Sequence, residues 1–229
     1  MNNFFKIIVI GAGFIACSCS FKSTVAYQYA TVTNVNDNAG IDSLIIPYRQ
    51  ELKQKMQQKI TFAEIDFINE RPGGNLGNLV ADMLLQKAKE DLKAENCIAL
   101  LNFGGLRSTI NKGDVFLEDI YKLMPFDNEL IYVRVKREVL DEMYAYLKNS
   151  KGEPISGFRI ENGQLLPSFT AEEYWIATSD FLLNGGDKMY FLKNNREVIQ
   201  TGIPIRELLI KAFQAYDTLP DPNESRIVW

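Results

Sequence analysis

The apolar run Ile98-Ala-Leu-Leu101, followed at once by Asn102-Phe-Gly-Gly-Leu-Arg107, constrains the fold of this chain more than any other stretch. A short run without a polar face reads as a buried strand, and a glycine pair directly after it lets the backbone turn sharply or approach another group closely. Taken alone, the pair equally fits a strand-to-loop turn with an arginine on the surface. Upstream, Leu76, Leu79, Val80, Met83, Leu84 and Ala88 recur at helical spacing, predicting a helix over 75–92 that lays one face on a core. Similar patterns predict helices over 41–59 (amphipathic, with Pro47 inside or at its start), 118–123, 138–147 and 205–216. Strands are expected over 61–68, 98–101, 129–135, 155–160, 174–177 and 226–228. This irregular alternation points to an α+β domain with a mixed sheet packed by helices, not to a regularly doubly wound one.

With 229 residues, 46% of them hydrophobic, the chain can bury one good core, about 190 residues of domain plus an N-terminal extension. The net charge of −4 and the absence of a long basic run argue against a nucleic-acid polymer as partner. Residues 1–16 carry Lys6 and then an apolar stretch too short for a permanent membrane span, as in a secretory signal. Phe14-Ile-Ala-Cys17 resembles the lipobox of bacterial lipoproteins, with Phe14 where leucine is commonest; Cys17 is the expected lipidation site and Cys19 the alternative. Two or more acyl chains, at about 0.8 kcal/mol per buried methylene, anchor a protein stably. Residues 17–39, rich in Ser, Thr, Asn and Asp, read as a tether, and the domain is expected over 40–229. The chain is thus expected in a bacterial cell envelope, held by lipid and facing the periplasm. Cys97, at the head of the apolar run, reads as a small buried hydrophobe.

The sequence contains no histidine. Triads of the Ser-His-Asp or Cys-His type, which need an imidazole base, are therefore excluded, and zinc or two-metal hydrolytic sites lose their usual ligand. A carboxylate-only Mg²⁺ or Ca²⁺ site stays open. Glu172 and Glu173, as strand neighbours, point to opposite faces and read as a solvated rim.

Three loops share one composition, an aromatic or cationic anchor among hydrogen-bonding groups: Asn102-Phe-Gly-Gly-Leu-Arg107, Pro125-Phe-Asp-Asn128 and Phe181-Leu-Leu-Asn-Gly-Gly-Asp187. Together they resemble the C-terminal, substrate-binding domain of the 5′-nucleotidase and UDP-sugar hydrolase family, whose loops read roughly N-x-G-G-[IL]-R, P-F-x-N and N-F-x-x-x-G-G-D-G-[YF]. Asn75-Leu-Gly-Asn-Leu is similar to a helix-opening segment of that family, and Ile46-Pro-Tyr-Arg49 to its inter-domain helix. The resemblance covers about residues 40–229.

The resemblance implies that Phe126 and Phe181 clamp a nucleobase between their rings. It also implies that Asn102 and Arg107 contact the substrate, that Asn128 helps hold the base and that Asp187 takes the ribose hydroxyls, with Gly104, Gly105, Gly185 and Gly186 shaping the backbone around the ligand. The chemistry suits those roles: rings stack on bases, a carboxylate accepts two hydroxyl donors, and a guanidinium offers a fork of donors. Read singly, Phe126 and Phe181 equally fit core positions and Asp187 a turn. Departures from the family pattern are Phe103, Asp180 and Lys188, the last standing where the family has glycine; Arg71 is the arginine nearest a further substrate-contacting position, without a matching register. In the family, cleavage belongs to an N-terminal metallophosphoesterase domain whose two metals are held by His, Asp and Asn, and this chain leaves no room for it. The expectation is a nucleoside- or nucleotide-binding chain without cofactor or metal of its own and with no catalytic residue, the divalent metal pair belonging to a separate metallophosphoesterase chain. The alternative is a scaffold or interaction lipoprotein that keeps the fold and not the pocket.

Overall fold

In the computed structural model, which describes residues 39–167 and 169–229, the chain runs through helix α1 (Ala39–Met56), strand β1 (Lys59–Ala63), helix α2 (Asn75–Leu92), strand β2 (Cys97–Leu100), strand β3 (Gly113–Phe116) and helix α3 (Leu117–Leu123). It continues through β4 (Glu129–Lys136), α4 (Val139–Ser150), β5 (Ile155–Ser156), β6 (Arg159–Glu161), β7 (Gln164–Leu166), β8 (Glu173–Ser179), α5 (Asp180–Leu183), β9 (Asn195–Pro204), α6 (Ile205–Gln214) and β10 (Ile227–Val228). The signal, tether and lipidation-site expectations fall outside the described residues. Ile45–Trp229 forms one compact unit; of the unit before it, only the opening of α1 is described.

Five strands form the main sheet in the order β5-β2-β8-β4-β9. β2 and β8 run parallel, with Ile98 opposite Ile176 and Ala99 opposite Ala177, while β5, β4 and β9 add antiparallel to their neighbours. A mixed sheet packed by helices, as the sequence predicts, is thus the observed architecture. Alternation along the central strands divides the apolar residues between two cores. Cys97, Ala99, Leu130, Tyr132 and Ala177 face one core with α2, α3 and α6, whereas Ile98, Leu100, Ile131, Val133 and Ile176 face the other with α4 and α5. Continuous apolar sequence in β2 follows from burial on both faces. Cys97 is 4% exposed, and burial pushes its thiol up.

Several elements differ from the sequence pattern for local reasons. Pro47 lies inside α1, where Leu44 and Tyr48 are 71% and 74% exposed. β1 ends at Ala63 because its antiparallel partner β3 extends no further; Phe67 then makes a single bridge to Ile110 and is fully buried. The apolar stretch 155–160 breaks into β5 and β6 at Gly157, whose φ of +87° a side chain would strain. Glu173 opens β8 and pairs with Arg134 at 3.4 Å.

One partly buried ion pair joins the sheet, α2 and the C-terminal segment. Arg226, 6% exposed, reaches Asp82 through both Nη atoms at 2.8 Å and donates to the carbonyls of Ile155 at 2.7 Å and Asn78 at 3.3 Å. Ser156 donates to the same carboxylate at 2.5 Å, and Glu224 accepts from Arg226 Nε at 2.8 Å. Removing the guanidinium leaves two buried carbonyls without their donor and a partly solvated carboxylate without its partner. Arg226→Met is expected to lower the unfolding free energy by about 2 kcal/mol in urea denaturation, less than for a fully buried pair because the Asp82 side chain is 37% exposed.

Candidate functional site

Because β2 and β8 are parallel neighbours, the segments leaving their C-terminal ends emerge on the same side of the sheet. The first is residues 102–107, whose opening turn is Phe103–Gly105; the second is α5 and the following turn Gly186–Lys188. β4 is antiparallel to β8, with Leu130 opposite Ser179, so the residues entering β4, 124–128, arrive at that side as well. The β9–α6 junction joins them, since Glu129 lies opposite Pro204.

The three loops meet around a cavity of about 220 Å³ lined by Asn102, Gly104, Gly105, Arg107, Phe126, Asn128, Phe181 and Asp187. Eight of the ten residues singled out by the sequence reading therefore share one wall-to-wall space. Phe126 and Phe181 are 45% and 43% exposed, so neither ring plugs a core. Asn102 is 7% exposed, and its amide donates to Asp187 Oδ2 at 2.6 Å, tying the first loop to the third. Arg107 is exposed; its Nη1 donates to the Gly104 carbonyl at 3.3 Å, and its guanidinium sits 5.8 Å from the centre of the Phe126 ring.

Gly185 and Gly186 do not line the cavity; Gly186 backs it, while Gly185 lies against Tyr190. A Cβ on Gly186 would come within 2.3 to 2.5 Å of three Phe181 ring carbons, so the main chain lies directly against that ring. Asp187 follows with φ +48°, a left-handed conformation that aspartate tolerates better than most residues.

Residues outside the sequence motifs hold the walls in place. Asp180 Oδ1 accepts from the Glu129 amide at 3.0 Å and from its own neighbour Phe181 at 2.8 Å, linking the second and third loops. Arg206, in the first turn of α6, donates through Nη1 to the carbonyls of Met124 at 3.1 Å and Phe126 at 3.3 Å, and through Nη2 to Asp127. Its guanidinium also covers the Tyr121 ring at 4.5 Å, and the next link in the same joint is the Ile205 amide to the Asn128 carbonyl at 2.9 Å. Tyr146 donates to the Asp187 carbonyl at 2.9 Å. No spacing in the sequence marks Arg206 or Tyr146, because each meets its loop only through the tertiary fold.

Among the described residues, no group of three or more His, Cys, Asp or Glu side chains could hold a metal ion. A metal pair of the kind the family resemblance implies finds no ligand set among those residues. The site's own equipment is two exposed rings, an exposed guanidinium, and amide and carboxylate groups already oriented by one another.

Two outcomes follow. Arg206→Ala frees both carbonyls, and amide hydrogen exchange over 124–128 is expected to quicken by about tenfold while α2 keeps its protection. Burial, with Glu153 and Asp187 nearby, pushes the Tyr146 phenol up to about 12. Its folded value lies above the ordinary one, so the stability it contributes is full below the ordinary tyrosine range of about 10 and is lost as pH rises towards 12. An absorbance titration should show a phenol ionising near pH 12 that disappears in Tyr146→Phe.

Residues 58–153 match the family model of the 5′-nucleotidase C-terminal domain. The trifunctional nucleotide phosphoesterase protein YfkN of Bacillus subtilis (strain 168) is 29% identical over 170 residues, which is 61% of this chain and 12% of that protein. Protein UshA of Yersinia enterocolitica is 24% identical over 198 residues, 77% of this chain and 34% of its own length. The chain thus spans about a third or less of the curated relatives it matches. The structure of the 5′-nucleotidase precursor from Thermus thermophilus aligns with a TM-score of 0.68 at 26% identity, over 81% of this chain and 42% of that one. Haemophilus influenzae NAD nucleotidase, at 16% identity and a TM-score of 0.61, has the same fold. Residues 58–153 thus carry the match to the 5′-nucleotidase C-terminal domain family, and the mixed sheet packed by helices is the fold of its structural neighbours.

Proposed function

We propose that this chain is the specificity half of a 5′-nucleotidase-type system, binding a nucleoside or nucleotide with its base between Phe126 and Phe181. The observation that carries this reading is the shared cavity, in which two half-exposed phenylalanines face the same space as Asn102, Arg107, Asn128 and Asp187. Asp187 accepts the ribose hydroxyls through the carboxylate oxygen that Asn102 does not engage, Asn128 holds the base edge, and Arg107 meets a polar or anionic group of the substrate. The names of the relatives, a nucleotide phosphoesterase and 5′-nucleotidases, support the ligand class.

Phosphate ester cleavage is assigned to a separate metallophosphoesterase chain that carries the divalent metal pair. These 229 residues contain no histidine, and the described ones hold no metal cluster. This chain then contributes recognition, without a cofactor or catalytic residue of its own. Lipid attachment at Cys17, or alternatively Cys19, would hold it at a bacterial membrane facing the periplasm, with the partner recruited there.

Calorimetric titration with adenosine, AMP and UDP-glucose tests the pocket. Binding should weaken by about 1–3 kcal/mol, some five- to a hundredfold, in Phe181→Ala, the usual worth of one stacked ring. Gly186→Ala, which displaces the same ring without removing it, should weaken binding while leaving the urea midpoint close to that of the unaltered protein. Absence of heat and of thermal shift at millimolar ligand would instead leave a scaffold that keeps the fold and not the pocket.

A further inference from the structure

We propose that the groove adjoining this cavity, lined by Arg71, Phe103, Tyr146, Lys151 and Lys188, is a second subsite that takes an anionic, phosphoryl-type substituent of the bound nucleoside. The inference rests on the nucleoside reading of the first cavity and extends it. The groove, about 620 Å³, shares Gly104 and Asp187 with the cavity as a common border, so one ligand can reach across both.

Its charges do not cancel where a ligand would meet them. Glu153, 2% exposed, is consumed inside the wall: Oε1 accepts from Arg71 Nη2 at 2.7 Å and Oε2 from the Phe103 amide at 2.6 Å. Arg71 is pinned by that pair, by its Nε bond to the Gly152 carbonyl at 2.9 Å and by the Phe103 ring 4.7 Å beneath it. Lys151 and Lys188 are exposed and have no ion-pair partner among the described residues. The remaining carboxylate, Asp187, stands on the border, with one oxygen engaged by Asn102 and its carbonyl by Tyr146. Two unspent ammonium groups thus face an open groove whose buried acid is already neutralised, a setting that attracts phosphate oxygens.

Lys188 carries a second mark. Its φ is +65°, a backbone region where glycine sits without strain and a side chain does not. Lysine at this position exchanges backbone ease for a cation at the edge of the groove, beside the carboxylate assigned to the ribose.

The test compares adenosine, 5′-AMP and 3′-AMP on the unaltered protein and on the double variant Lys151→Gln, Lys188→Gln. At least one monophosphate should bind more tightly than adenosine. The double variant should keep the adenosine affinity and lose about three- to tenfold for that monophosphate, the effect of exposed charge pairs. This difference should shrink as salt is raised. The ester that shows it identifies the ribose oxygen directed into the groove. Equal binding of adenosine and both monophosphates, or a double variant that binds them as tightly as the unaltered protein, overturns the groove while leaving the base cavity standing. Failure of all three ligands to bind overturns both assignments.

Discussion

Parallel pairing of β2 with β8 is the constraint on which the rest depends. Two parallel neighbours deliver their following loops to one end of the sheet, and antiparallel β4 and β9 bring their opposite ends to the same place. Asn102 and Asp187, 85 positions apart, become hydrogen-bond partners through this arrangement. A sheet of purely antiparallel neighbours would have sent the first and third loops to opposite ends. The topology also explains why β2, the strand that leads into the first loop, is apolar on both sides: helices cover both faces, and the loop needs a rigid base.

The polar contacts behind the cavity divide into those that hold the fold and those that hold the walls. Arg226 and Asp82 belong to the first kind, joining α2, β5 and the C-terminal segment away from the loops. Asp180, Arg206 and Asn102 belong to the second, each joining one loop to another element at its end of the sheet. Glu153 serves both, since it neutralises Arg71 and also orients the Phe103 amide in the first loop. The walls are therefore set mainly by hydrogen bonds to main-chain atoms, which explains how small residues can line so much of the space.

The elements legible in the sequence are those whose burial produces a clean period. The period from Leu76 to Ala88 predicts a helix over 75–92, the bounds of α2, and residues 98–101 mark β2 within one position. β9 escapes the same reading. Its run NREVIQTGIP lacks a regular alternation and contains Gly202 and Pro204, because as an edge strand it is held by ladder bonds to β4 more than by packing. β3 and β7 are too short to show a period. The loops that form the cavity were legible as motifs, since their glycines, phenylalanines and carboxylate stand at recognisable intervals. Arg206 and Tyr146 were not, because a lone side chain reaching a carbonyl 80 or 41 residues away leaves no local signature.

Asp180 offers a final consequence. One carboxylate oxygen receives the amides that begin β4 and α5, which are the stems of the Phe126 and Phe181 walls. The Glu129 bond crosses between the stems and the Phe181 bond fixes the carboxylate on its own stem, so one side chain ties the two walls together. A change at position 180 is therefore felt at both phenylalanines, although neither ring touches the carboxylate through its own atoms.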